Sequence, residues 1–287
     1  MEQLDMPNEK AVVLFSGGFD STLVLADLVK HASDTDTIYA VTIEHNITGT
    51  QKLRREYESQ LLILRELRKQ FPKVRIEHER ISVESNWTVG DATNSRGLAQ
   101  PIFWMCNLIP FLENNDNVYF GYNLNDQARV HIDHIKELFK VACKFQSDKH
   151  IEPKFPISYL DKTEVLRRLM GDYPYLIDHC ITCESMTYDG TNVCGDCVPC
   201  THLKQALFNI SLEPNDYGKK AKEMLKERFH CTVDVHYDWE DDAVKYIEPV
   251  YPDSECKYVD GKKYSDGASN DCAIEVCAIE DDEYASM

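Results

Sequence analysis

The chain has 287 residues, 43% of them hydrophobic and 28% charged, with a formal net charge of −18, and that length allows a substantial core in one or two domains. No charge-free apolar run is long enough to span a bilayer, and residues 1–10, with Glu2, Asp5 and Glu9, lack the basic and apolar regions of a signal peptide, so a cytoplasmic protein without a membrane partner is expected. The acidity argues against nucleic acid as a partner, because a phosphate footprint needs clustered Lys and Arg; two thirds of the net charge lies from Cys231 onward, where sixteen Asp and Glu face four Lys.

Ala11, Val12, Val13 and Leu14 suit a short buried strand, and Leu25, Leu28, Val29 and Ala32 recur at helical spacing. Between them lie Phe15, Ser16, Gly17, Gly18, Phe19, Asp20, Ser21 and Thr22. Two adjacent glycines admit a ligand close to the backbone, the helix N-terminus offers unpaired N–H groups, and Ser16, Ser21 and Thr22 add hydroxyl donors. The stretch departs from GxxxxGK[ST] and has no lysine, so it does not suggest cleavage between β and γ phosphates. A plainer reading is a turn in which Asp20 only caps the helix. SGGFDS is similar to the pyrophosphate loop of N-type ATP pyrophosphatases, and the resemblance implies ATP cleaved between its α and β phosphates.

Residues 37–44 alternate as a strand, Leu53, Tyr57, Leu61, Leu64 and Leu67 mark a helix closed by Phe71 and Pro72, and residues 74–83 read as a third strand. This order predicts a doubly wound parallel sheet with ligands at the carboxyl ends of its strands. The first loop and the end of strand two (Glu44, His45, Asn46) then border one crevice, with Glu44 on the nucleotide side. Residues 84–100 lack a period and read as a substrate lid or a disordered insertion. Residues 101–112 predict a buried helix with Trp104, and with Cys106 as core packing. Residues 117–122 read as a strand and residues 128–143 as a helix, with Asp126 at the strand's carboxyl end. His131 and His134 read as helix-surface or substrate-facing residues rather than a metal pair, since no third ligand accompanies them. Near Pro156 the chain turns. Asp161, Lys162, Thr163 and Glu164 form a capping-box start for the helix with Val165, Leu166 and Leu169. Lys162 there either reaches a phosphate or stands solvated.

Cys183, Cys194, Cys197 and Cys200 combine a ten-residue gap with two overlapping CxxC steps. Four thiolates at this spacing can close a tetrahedron around Zn²⁺ and leave no position for water, so the metal would be structural. Cys180 can replace Cys183 as first ligand, and a thioredoxin-like CxxC needs a βαβ context that this stretch lacks.

The SGGxDS loop, the Phe155, Pro156, Ile157 and Asp161 to Glu164 element, and the late four-cysteine cluster together resemble 7-cyano-7-deazaguanine synthase, over about residues 10–210. The resemblance implies an adenine-nucleotide α-hydrolase-like Rossmann fold, ATP with Mg²⁺, structural Zn²⁺ and a homodimer. It implies adenylation of a 7-deazaguanine carboxylate, attack by ammonia to give the amide, and a second ATP to give the nitrile. Carried over, the phosphate contacts fall on Ser16, Gly17, Gly18, Asp20 and Ser21, flanked by Phe15 and Thr22, and the metal ligands on Cys183, Cys194, Cys197 and Cys200. Asp126 matches the family's late acidic residue. Asp20 or Asp126 would take the Mg²⁺, and Lys162 joins them as a catalytic candidate.

The substrate side departs from the family at Glu44, His45 and Asn46, at Gly97 to Gln100, at Gln127 to Asp133 and at Leu203. Divergent relatives of that synthase occur beside bacterial anti-phage systems, and one that stops at the adenylate would pass its acyl group to an amine of a partner protein. A binding module that only senses ATP is a third reading, and a tRNA-modifying pyrophosphatase conflicts with the acidity. The expected organisation is a nucleotide-binding α/β domain (1–150), a helical zinc-binding part (151–230) and an acidic extension (231–287). Residues 206–229 suggest two short helices broken at Pro214 and Gly218, and residues 232–237 an edge strand. The remainder is either a solvated tail, a dock for a partner protein or a cover for the crevice.

Overall fold

The computed structural model describes residues 10–45, 50–84, 89–90, 98–145, 151–184, 193–195 and 197–229, and beyond them four strands. In chain order the elements are β1 (Ala11–Leu14), α1 (Phe19–His31), β2 (Thr37–His45), α2 (Thr50–Gln70), β3 (Arg75–Val83), the two-residue strands β4 (Val89–Gly90) and β5 (Leu98–Ala99), α3 (Gln100–Leu108), β6 (Asn117–Tyr119), α4 (Ile132–Phe145), β7 (Pro153–Lys154), α5 (Lys162–Asp172), α6 (Pro174–Ile177) and α7 (Val198–Ser211). Then follow α8 (Asp216–Phe229), β8 (Thr232–Asp238), β9 (Ala243–Val250), β10 (Lys257–Val259) and β11 (Lys262–Tyr264).

Five strands form one parallel sheet in the order β3-β2-β1-β6-β7. The centre is β1, whose Ala11, Val12 and Val13 are fully buried, as a strand covered on both faces requires. The order reverses between β1 and β6, so the crevice of a doubly wound sheet opens beyond their carboxyl ends. This is the Rossmann-like α/β architecture expected from the sequence, with the glycine loop at its first crossover. On one side of the sheet Phe103, Met105, Leu108 and Ile109 meet Ile135, Phe139 and Cys143. Each such side chain contributes about 1.5–3 kcal/mol by leaving water.

Several boundaries differ from the sequence reading. β6 stops at Tyr119 because its outer neighbour β7 offers only two residues for pairing, although the Phe120 amide still reaches Lys154 O at 2.9 Å. The helix expected from Ala128 begins as a 3-10 turn over Gln127–His131. Cys106 is exposed, not core: its helix is apolar on nearly every side, so periodicity could not say which side faces out. Gly218 does not break a helix. Asn215 caps α8 by accepting from the Gly218 amide at 3.0 Å, so the break falls only around Pro214.

The chain divides into two compact units, Met1–Ile210 and Ser211–Met287. In the second, β8 is the expected strand. It pairs antiparallel with β9, with an irregularity between His236 and Tyr237, and β10 pairs with β11. The acidic composition of the segment had concealed these additional strands. Asn46 and most of the 84–100 segment lie outside the described residues. Among the described residues no helix is long and apolar enough to cross a membrane.

Candidate functional site

The loop between β1 and α1 is held from behind. Gly17 has φ +79°, a left-handed conformation that a side chain disfavours, and a Cβ there would lie 2.9 Å from Ser59 Oγ and 3.2 Å from Gln60 Cγ. Its carbonyl points back into the protein, accepting from the Ile181 amide at 3.0 Å and the Ser59 hydroxyl at 3.1 Å. The same hydroxyl lies 2.6 Å from His179 O. Thus α2 and the segment leading to Cys183 clamp one peptide of the loop, an arrangement that sequence spacing could not signal.

The front of the loop is lined by hydroxyls. Ser16 and Ser21 share a hydrogen bond at 3.1 Å, Ser21 Oγ accepts from the Ser16 amide at 3.3 Å, and Ser16 Oγ accepts from the Gly18 amide at 3.3 Å. Gly18 stands at the N-cap of α1 and no side chain caps that helix, so Asp20 is not a capping residue. The first-turn amides of such a helix have no intrahelical acceptors, and with the dipole they form a receptor for an anion. Thr22 is buried and its hydroxyl has no hydrogen-bond partner among the described residues. Phe15 is buried, with its amide on Val41 O at 2.8 Å.

Asp20, in the first turn of α1, turns toward the end of β6. Its carboxylate accepts from Asn123 Nδ2 at 2.8 Å and from Lys162 Nζ at 2.5 Å. Lys162 is therefore buried against a carboxylate, not solvated. Asp161 and Glu164 complete the capping box that starts α5 and fixes the backbone at Lys162, whose amide also donates to Asn125 Oδ1 at 2.8 Å. Asp126 accepts from the Asn123 amide at 2.7 Å. Burial, then the nearby Asp20 charge, raises its carboxyl to about 6 against the opposing Asn123 hydrogen bond and Lys162. Gly121 makes the approach of these elements possible, since a Cβ there would meet the Ser21 amide nitrogen at 2.8 Å.

The sequence reading missed His202, one turn into α7. Burial, then the Lys162 charge, holds its imidazole below its ordinary value, with Asp20 opposing, so it shares the electrostatic environment of the Asp20 and Lys162 pair. Glu44, at the end of β2, is engaged by Arg80 through Nε at 2.7 Å and through Nη2. The Arg80 guanidinium lies 3.9 Å over Tyr57, which stacks on His78 at 6.2 Å. Thr42 donates to Phe15 O at 2.7 Å and so accepts from His78 Nε2, 3.2 Å away. Burial, followed by Arg80 and Arg68, lowers His78 to about 4. This network buttresses the loop from the β2 side. His131 and His134 are exposed, their rings 6.0 Å apart.

The sulfurs of Cys183, Cys194, Cys197 and Cys200 all lie within 4.8 Å of one another. The Cys194 amide points at Cys183 Sγ and the Cys197 amide at Cys194 Sγ, each at 3.3 Å, the usual turn geometry around a thiolate. Cys180 Sγ instead donates to Leu176 O at 3.5 Å. Burial, together with the thiols of Cys197 and Cys183, pushes Cys200 above its ordinary range. A cation would relieve that crowding, so the donor set fits a thiophilic metal.

No family model and no curated protein sequence matches the chain. Among solved structures it is similar to the U34-tRNA thiolase NcsA from Methanococcus maripaludis, described with its [4Fe-4S] cluster, at 13% identity and a TM-score of 0.40 over 79% of this chain and 69% of that one. It is also similar to NMN synthetase from Francisella tularensis (17% identity, TM-score 0.36, 75% and 82% of the two chains) and to NH3-dependent NAD synthetase from Campylobacter jejuni (15%, 0.35, 79% and 86%).

Proposed function

We propose that the protein adenylates a carboxylate with ATP and passes the acyl group to ammonia or an amine, in the manner of 7-cyano-7-deazaguanine synthase. The observation that carries this reading is the uncapped N-terminus of α1 behind a clamped, hydroxyl-lined glycine loop, with Asp20, Lys162 and Asp126 beside it. An oxygen of the substrate carboxylate bonds to the α phosphorus, the bond to the bridging oxygen of the β phosphate breaks, and pyrophosphate leaves. The amine nitrogen then bonds to the acyl carbon, AMP departs with the carboxylate oxygen, and the amine loses a proton. The loop amides and hydroxyls of Ser16, Ser21 and Thr22 would receive the departing pyrophosphate, and Lys162 would offset its charge. Asp20 and Asp126, two hard oxygen donors of which Asp20 raises the cost of charging Asp126, would hold Mg²⁺, which supplies charge neutralisation at the phosphates.

Zinc is our assignment for the cysteine centre. Four sulfurs around Zn²⁺ at about 2.3 Å stand about 3.8 Å apart, in keeping with the 4.8 Å limit, whereas a four-iron cluster spreads its thiolates more widely. A second reading concerns the acceptor. Glu44 is tied to Arg80, and His45 is buried with its ring 4.6 Å from Phe103, so the end of β2 is turned to internal contacts. That favours a carboxylate or an acceptor other than the synthase's own, including an amine of a partner protein.

Incubation with ATP and 7-carboxy-7-deazaguanine, with and without ammonium, tests the reading. Amide or nitrile with pyrophosphate and AMP supports the synthase, and pyrophosphate without nitrile supports a ligase. Absence of ATP turnover, release of the terminal phosphate alone, or full turnover in Ser16→Ala or Asp20→Ala overturns the assignment.

A further inference from the structure

Helix α4 carries two apolar faces. Ile135, Phe139 and Cys143 are buried in the core beside the sheet. His134, Leu138, Val141 and Phe145 recur at intervals of four, three and four, which places them within an arc of about 60° on a helix turning 100° per residue. That second face looks outward: Leu138, Val141 and Phe145 are 40%, 50% and 87% exposed, and Val130 in the turn before the helix is 73% exposed. Scattered single apolar residues on a surface need no explanation, but a seam at 4-3-4 spacing is the pattern by which one helix pairs with another.

The charges beside the seam indicate the partner. Glu137 in the first half of α4 and Lys144 in the second flank it, while Asp133, Lys136 and Lys140 lie farther round the helix. Among the described residues neither Glu137 nor Lys144 makes an ion pair within the chain. Both border the seam on the side away from the core.

We propose that α4 is the surface through which two copies of this chain associate, with the helices antiparallel about a two-fold axis between Leu138 and Val141. Leu138 then packs on the partner's Val141, and His134 on the partner's Phe145. Glu137 comes beside the partner's Lys144, and symmetry makes that pair twice. A parallel pairing would instead set Glu137 beside the partner's Ala142 and leave its charge without that lysine. The inference stands apart from the adenylation reading, since no residue of α4 belongs to the proposed nucleotide site.

Sedimentation equilibrium on the full chain tests it, with circular dichroism and melting confirming that each variant folds. The parent should be a dimer, and Leu138→Glu with Val141→Glu, at exposed helical positions, should be a folded monomer. Glu137→Lys and Lys144→Glu should each weaken the dimer roughly tenfold by turning two symmetric attractions into repulsions, and their combination should restore it to within about threefold. A monomeric parent overturns the proposal, as does a monomer whose seam its own chain protects from radical footprinting. A dimer indifferent to the seam variants assigns association to another surface, and reversals that do not compensate overturn the antiparallel register.

Discussion

Replacing Gly17 by alanine probes the clamp on the loop directly. The backbone at φ +79° costs an L-residue about 1–2 kcal/mol. The new Cβ also falls 2.9 Å from Ser59 Oγ and 3.2 Å from Gln60 Cγ. Ser59 cannot retreat without giving up its contacts to Gly17 O and His179 O, a loss of about 1 kcal/mol, and Gln60 is buried. Together these give about 2–4 kcal/mol, or a melting temperature lower by roughly 5–15 °C for a unit of this size. Ser59→Ala alone should cost about 1 kcal/mol. The double variant should be less destabilised than the sum by about 1 kcal/mol, because removing Oγ removes the closest contact while leaving the backbone cost. Calorimetry reads the stabilities and a nucleotide titration reads ATP affinity, which should fall at least tenfold in Gly17→Ala. Should Gly17→Ala melt within about 0.5 kcal/mol of the parent and bind ATP as well, the loop is not clamped as described.

Lys162→Met should abolish ATP turnover and lower stability in urea by about 2–3 kcal/mol, below the range for fully buried pairs because Asp20 keeps some contact with water; unchanged stability would contradict the buried pair. Asp126, raised to about 6 when folded, keeps a proton that the unfolded chain has already released between about pH 4 and 6, so its contribution to stability falls as pH rises through that window. Asp126→Asn should therefore be more stable than the parent above pH 6 and no better at pH 4, read from denaturant midpoints. His78, lowered to about 4, runs the other way: the unfolded chain takes up a proton below about 6.5 that the folded chain refuses, so stability is lost as pH falls from there toward 4. His78→Gln should flatten that acid limb, and an unaltered limb would refute the buried neutral imidazole. Chelation should release one metal per chain without bleaching a visible absorbance band and should weaken ATP binding through the Ile181 clamp; a band lost with iron release would replace zinc by an iron-sulfur centre.

What was legible in the sequence was local. The β1 run, the glycine pair and the Asp161 to Glu164 box each encode their geometry within a few residues, and all three recur in the fold. The cysteine spacing likewise encloses its own site, and the sulfur contacts favour Cys183 over Cys180 only once the chain is folded. Contacts that assemble the site across the chain left no such trace. Lys162 meets Asp20 over 142 positions, Asn123 meets Asp20 over 103, and Ser59 meets Gly17 over 42. Cys106 shows the opposite failure, in which an apolar stretch without a polar side gives no direction to its residues. Gly218 reads as punctuation because glycine is a poor helix former, yet three residues after a capping asparagine its amide is the one that the cap needs.

The peptide at Gly17 depends on residues that the ribosome delivers much later. Residues 15–22 emerge early, but the Ile181 amide that orients their backbone is synthesised more than 150 residues afterward. A nascent or truncated chain ending before residue 179 would contain the complete SGGFDS motif and lack the orientation that turns its amides toward a ligand. Under the proposed reading, nucleotide capture would in that sense be a late event in biosynthesis, and fragments left by premature termination or proteolysis would not compete with the finished protein for ATP.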